Sequence, residues 1–286
     1  MSSLLFVPAN DERKFEKASS LPCSGIVIDL EDAIHAEHKR RARASLSELI
    51  PKHRNPKQKL YVRINGLHTA FWQDDLVEVV KIRPDGIIVP KAERDLHLLD
   101  EFLVGLETSH GLVENQMKLI LILETAKALV DMEPILSSCP RIDSATIGMA
   151  DLSADLGASW SDIVQQTPPL LIGLREKLAL VSRKLGLKAP WDSVYMQFTD
   201  AEGLRRDAMI GKRLGFQGKH VIHPSQIDVV NSVYRVSKEE YEQANAIIAK
   251  IQGQGAVQME GFLIDEPVVK RARQIIERYE AQEVTA

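Results

Sequence analysis

Lys118-Leu119-Ile120-Leu121-Ile122-Leu123-Glu124-Thr125-Ala126 is the stretch that decides the fold. Consecutive large aliphatic residues with no polar alternation mark a strand covered on both faces, as in a parallel sheet. The run stops at a single acid, and a helix-forming segment, Thr125–Leu136, follows at once. A carboxylate at the end of a buried strand is costly unless it meets a partner or a metal. Glu124 therefore marks both a strand-to-helix turn and a place to look for chemistry.

The same grammar repeats in both directions. Leu4–Val7, Gly25–Asp29, Leu60–Ile64, Gly86–Val89, Ser144–Gly148 and Lys219–Ile222 read as further buried strands, and Lys188–Val194 supplies the eighth, with Pro190 inside it. Between most of them the pattern is helical, as in Ala36–Leu49, Thr69–Val80, Arg94–Leu106, Leu170–Leu185 and Ala201–Leu214, the last closed by Gly215. Strand and helix alternating at one βα unit per step implies parallel crossovers. Eight such units give an α/β (β/α)8 TIM barrel over residues 1–236. The first turn, Pro8-Ala9-Asn10-Asp11-Glu12, has nothing of the GxGxxG of an open dinucleotide-binding sheet. Residues 237–286 form a C-terminal helical extension. It holds a helix near Ser237–Gln252, a break at Gly253-Gln254-Gly255 and a last helix near Glu266–Glu280.

Composition narrows the class. The chain has 286 residues, 44% hydrophobic and 27% charged, with a net charge of −4. That balance excludes a disordered chain and a basic nucleic-acid binder. Cys23 and Cys139 are too few and too far apart for a metal framework or a redox pair, and read as buried reduced thiols. No run approaches the ~18 apolar residues of a membrane span, and no signal-peptide core is visible. The expectation is a cytoplasmic protein with no membrane or nucleic-acid partner.

Barrel chemistry gathers where strands end. Those positions hold Asp29, Glu31 and Asp32 after strand two, Arg63 and Asn65 at strand three, and Lys91 and Glu93 after strand four. Glu124 follows strand five, Asp151 strand six and His223 strand eight. Glu124 and Asp151 lie one unit apart past adjacent strands, so their carboxylates can converge on one ion. Two hard oxygen donors point to Mg2+ or Mn2+. The alternative is that Glu124 caps the helix after it and Asp151 caps a short turn. Arg63 can hold a substrate carboxylate with two parallel hydrogen bonds, or pair with Asp29 or Glu31, or both. Arg13-Lys14 with Lys17, and Lys39-Arg40-Arg41 with Arg43, are basic clusters that suit substrate phosphates or a solvated helix face. His223 reads as a packing and hydrogen-bonding residue, and Asp265 as the N-cap of the last helix or a group reaching into a site.

Taken in order, Leu4-Leu5-Phe6-Val7-Pro8, Asp29-Leu30-Glu31-Asp32-Ala33, Val62-Arg63-Ile64-Asn65 and Val89-Pro90-Lys91 carry a resemblance. Leu123-Glu124-Thr125-Ala126, Ala150-Asp151-Leu152 and Gly218-Lys219-His220-Val221-Ile222-His223-Pro224 continue it. The chain is similar to the citrate lyase β-subunit-like branch of the HpcH/HpaI aldolase superfamily. The resemblance implies Mg2+-dependent cleavage of a carbon–carbon bond in a 3-hydroxyacyl-CoA substrate of the citryl-, citramalyl- or malyl-CoA type. It implies metal ligands Glu124 and Asp151, a substrate carboxylate on Arg63, and Asp265 as a catalytic aspartate lent by a neighbouring subunit of a homotrimer or hexamer. Lys17 and Lys39 are the expected contacts to the CoA portion, with Glu124 also touching substrate. An acyl carrier partner, or thioester hydrolysis on the same fold, is the alternative. Where many relatives carry an arginine ahead of Ser3-Leu4-Leu5-Phe6, this chain has Ser2.

Overall fold

The computed structural model describes residues 2–93, 96–158, 169–251, 255–259 and 261–284. Among them, eight parallel strands form a (β/α)8 barrel: β1 Ser3–Pro8, β2 Gly25–Asp29, β3 Lys59–Arg63, β4 Gly86–Val89, β5 Leu119–Leu123, β6 Ile142–Ile147, β7 Trp191–Asp192 and β8 Gly218–Val221. Hydrogen-bonded neighbours run β6-β5-β4-β3-β2-β1-β8-β7, so each strand lies beside its sequence neighbour and the seam falls between β6 and β7. Lys188 N–H donates to Asp143 O across that seam at 2.9 Å. The interior is filled by Leu4, Val27, Ile88, Ile120, Ile122 and Trp191, with Phe6 and Tyr61 against them. Each such aliphatic side chain removed from water contributes roughly 1.5–3 kcal/mol.

The outer layer comprises α1 Glu12–Ser19, α2 Lys39–His53, α3 Trp72–Ile82, α4 Leu96–Ser109, α5 Ala126–Val130, α6 Met132–Leu136, α7 Met149–Asp155, α8 Pro169–Lys184, α9 Ala201–Arg213 and α10 Ile227–Tyr234. The single helix expected over Thr125–Leu136 is two short ones. Pro134 has no N–H to give and its ring excludes the carbonyl of Val130, so the helix restarts at Met132. Strand seven is shorter than the expected Lys188–Val194. Its approach is held by side chains and single backbone bonds in place of a ladder. Ser144 Oγ and Gln217 Nε2 donate to Ala189 O, and Gln217 N–H donates to Pro190 O.

Outside the last two strands lies a buried set of four charges. Arg175 on α8 donates to Asp192 and, at 2.8 Å, to Asp207 on α9. Lys219 lies 3.1 Å from Asp192, its partner in the β7–β8 register, and also bonds Asp207. The neighbouring residue His220 points the other way, stacked on Trp191 at 6.0 Å and edge-on to Phe6 at 5.3 Å.

The chain divides into two compact units, Ser2–Val233 and Tyr234–Ala286. The second holds α11 Lys238–Ile251, an antiparallel hairpin of β9 Val257–Met259 and β10 Phe262–Ile264, and α12 Glu266–Val284. Tyr241 and Tyr279 stack at 4.3 Å and pin α11 to α12. The hairpin was not expected from a segment read as helical. Gly253 and Gln254 of the expected break lie outside the described residues, as do Arg94, the start of the helix expected there, and Ser159–Ile163 of the loop Ser153–Ile163.

Candidate active site

Strand register assembles the site. Asp29 and Arg63 are direct partners across β2 and β3, so both side chains emerge side by side at the strand ends. Arg63 Nε donates to Asp29 Oδ1 at 2.8 Å and Nη2 to Oδ2 at 2.6 Å, a two-pronged bond. Asp29 is itself held by the N–H groups of Glu31 and Ala33. Arg63 Nη1 lies 3.0 Å from Glu31 Oε2 and 3.8 Å from Asp32, and the guanidinium covers the Phe6 ring at 5.1 Å. Burial works against its charge, but Asp29, Glu31 and Asp32 outweigh that and raise its pKa. A guanidinium has five N–H groups, so the Asp29 clamp leaves donors for a further carboxylate.

Lys91 carries the network across the next strands. Its backbone is left-handed, with φ 47°, a conformation costing roughly 1–3 kcal/mol for a residue with a side chain. The turn aims its N–H at Glu124 Oε1, 2.6 Å away. Its ammonium lies 2.8 Å from Glu31 Oε1, 3.8 Å from Asp32 and 4.0 Å from Asp151. Lys91 thus touches Glu124 and stands beside Asp151.

Glu124 is only 3% exposed. Burial, with the Glu31 and Asp151 carboxylates close by, pushes its carboxyl up to about 8. Space for it comes from Gly148, the residue after β6, whose N–H bonds Leu123 O. A Cβ there would stand 2.2 Å from Glu124 Oε2. Asp151 lies in the first turn of α7 with its side chain 47% exposed. The capping alternatives do not hold for either acid. Thr125, not Glu124, caps α5, accepting Ala128 N–H at 3.1 Å, and Asp151 lies inside α7, whose N-cap is Gly148.

This arrangement fits a hard divalent cation. Glu124, Asp151, Glu31 and Asp32 are crowded at the strand tips, and Glu31 is also pushed up because burial outweighs the Arg63 and Lys91 charges beside it. Among the described residues no three acid, imidazole or thiol groups converge as a cage. Mg2+ is commonly bound by one or two carboxylates with water or substrate filling the rest.

The other expected residues fall elsewhere. Lys39 is buried, its ammonium donating to Leu30 O at 3.0 Å and Glu31 O at 2.8 Å, so it braces the loop after β2 and is not presented to substrate. Lys17 is exposed in the last turn of α1. The adjacent Ala18 carbonyl accepts from Gln58, just before β3, which puts Lys17 toward the amino ends of the strands, away from Arg63. Arg43 is taken up by Asp74 and Asp75. His223 accepts Ser225 N–H and stacks on Phe198 at 4.8 Å, the packing role expected of it. Asp265 precedes α12 in the second unit and its carbonyl accepts Val269 N–H at 3.0 Å. Sequence reading passed over the joining role of Lys91 and the space left by Gly148. Their signal was position alone: the second residue past β4 and the first past β6, on either side of Glu124.

The HpcH/HpaI aldolase/citrate lyase profile matches residues 2–224, and a profile of carbon–carbon bond lyases of the TIM-barrel fold matches residues 174–283. A (3S)-malyl-CoA thioesterase of Cereibacter sphaeroides is 31% identical over 98% of this chain and 94% of the relative. The mitochondrial citramalyl-CoA lyase of Homo sapiens is 31% identical over 96% of this chain and 84% of its own. The crystal structure of CitE from Mycobacterium tuberculosis with magnesium, acetoacetate and coenzyme A is 28% identical, with TM-score 0.80 and 98% of each chain covered.

Proposed function

The chain belongs to the HpcH/HpaI aldolase/citrate lyase family, and from that premise we propose a Mg2+-dependent lyase that splits a 3-hydroxyacyl-CoA into acetyl-CoA and a 2-oxo acid. The observation that carries the reading is the continuous string Asp29–Arg63–Glu31–Lys91–Glu124, with Asp151 beside Lys91, at the strand tips. It joins a carboxylate-binding guanidinium to a surplus of hard oxygen donors.

Glu124 and Asp151 hold the ion, which when bound supplies positive charge against the negative charge that develops on the 2-oxo acid oxygens. Arg63, locked by Asp29, directs its remaining N–H groups at the substrate carboxylate and fixes the carbon–carbon bond to be broken. The substrate hydroxyl gives up its proton, its oxygen forms the new carbonyl, and the bond electrons pass to the carbon next to the thioester. That carbon then takes up a proton. Asp265 is the group we assign to this proton traffic. What supports it is its match to the family's aspartate and its place at the head of α12, in a unit separate from the barrel. The working form is a homotrimer or hexamer in which that aspartate serves a neighbouring subunit, in the cytoplasm, where buried reduced Cys23 and Cys139 are at home.

The test is a panel of citryl-, citramalyl- and malyl-CoA with Mg2+ and product identification. Acetyl-CoA plus a 2-oxo acid is expected from one of them. Free CoA with an intact hydroxy acid would make the protein a thioesterase, as its Cereibacter relative is named. Turnover only with an acyl carrier protein thioester would replace CoA as the substrate carrier.

A further inference from the structure

We infer that Lys91 keeps the cation site open by withholding Glu31 and Asp32 from the metal; this rests on Glu124 and Asp151 being the metal's ligands. Glu124, Asp151, Glu31 and Asp32 stand around Lys91 at the strand tips, and all four are the hard oxygen donors that a divalent cation seeks. Glu31 and Asp32 are engaged before any ion arrives. Lys91 Nζ lies 2.8 Å from Glu31 Oε1 and 3.8 Å from Asp32, while Arg63 Nη1 lies 3.0 Å from Glu31 Oε2. Glu31 is therefore buried with a cation against each oxygen, hydrogen-bonded to Lys91 at Oε1 and in ion-pair contact with Arg63 at Oε2.

Coordination chemistry gives that grip its purpose. Mg2+ has six positions, and each one filled by a protein carboxylate is lost to the substrate's oxygens. A site that recruited Glu31 and Asp32 would bind the ion more tightly but admit less substrate. With four acids it would also suit the larger, more accommodating Ca2+. The ammonium opposes this by hydrogen-bonding Glu31, by drawing Asp32 electrostatically from 3.8 Å, and by standing 4.0 Å from Asp151, where its charge weakens the pull on the ion. Lys91 is thus a positioning residue that sets metal affinity and choice.

Its two roles are separable. The backbone N–H to Glu124 survives a change of side chain, so Lys91→Met removes the ammonium alone. Binding of Mn2+ alone, followed by titration and by water-proton relaxation, reads the site without turnover. We expect Lys91→Met and Lys91→Gln to bind Mn2+ at least tenfold more tightly, with fewer exchangeable waters on the ion, and to gain more affinity for Ca2+ than for Mg2+. Lys91→Arg should stay close to wild type. Adding Glu31→Gln to Lys91→Met should return the relaxation toward wild type, because the released carboxylate is gone. Unchanged or weaker Mn2+ binding in both Lys91→Met and Lys91→Gln, with Glu124→Ala abolishing binding, overturns this inference alone. Mn2+ binding that Glu124→Ala leaves intact overturns the ligand assignment and this inference with it.

Discussion

Two regions of this molecule are built from charged side chains, and they are built to opposite ends. Between β7, β8, α8 and α9, two cations and two acids (Arg175, Lys219, Asp192 and Asp207) balance one another in charge and are sealed from water. At the strand tips, Arg63 and Lys91 face Asp29, Glu31, Asp32, Glu124 and Asp151, and the acids are in excess. A balanced set has nothing left to offer a ligand. An unbalanced one, with Glu124 pushed up to about 8 and Glu31 raised as well, has carboxylates left to offer a cation. Charge surplus separates a site from a staple better than burial does, since both regions are largely buried.

Substitutions can break the comparison, and the largest effect is expected at the tips. Glu124→Ala should cut turnover roughly 10⁴-fold, about 5 kcal/mol of lost transition-state stabilisation, with the thermal midpoint little changed. Activity retained within tenfold would remove Glu124 from the reaction. The reverse pattern is expected in the wall. Asp207→Ala strands Arg175 and Lys219 and should cost roughly 3–5 kcal/mol in folding free energy, read from urea denaturation. A stability loss under 1 kcal/mol would show that the cluster is not the staple described.

Smaller changes sharpen it. Gly148→Ala places a methyl where Glu124 now lies and should weaken Mn2+ binding by about 10–100-fold, leaving the circular dichroism spectrum intact. Equal affinity would mean that Glu124 has another way to sit. His220, between the two regions, gives the mildest signal. Burial first, then the charges of Lys219 and Arg63, pushes its imidazole from 6.5 down to about 3. Unfolding frees a ring that takes up a proton near pH 6.5. Its contribution to stability is therefore whole above that pH and is lost as pH falls toward 3, by at most about 1.4 kcal/mol per pH unit. His220→Phe should flatten that part of the urea-midpoint profile between pH 7 and 4.5; an identical slope would refute it.

Much of the barrel was legible because its information is local. The run Leu119–Leu123 and its terminal acid are contiguous, and so are their counterparts on the other strands. The candidate ligands Glu124 and Asp151 were legible for the same reason, as the first charges past adjacent strands. Lys39 misled because sequence shows a basic cluster but not which amine turns inward to brace Leu30 and Glu31. Lys91 was underread because its role depends on a left-handed backbone and on three neighbours from different strands. The shortness of β7 depends on where Gln217 and Ser144 send their side chains, which no single window of sequence contains.

That short seventh strand has a consequence for how the molecule breathes. With a ladder register of only Trp191–Gly218 and Asp192–Lys219 on one side and the Lys188–Asp143 amide bond on the other, the wall is stitched least densely there. Backbone amides around residues 188–194 should trade hydrogen for deuterium sooner than those of β5.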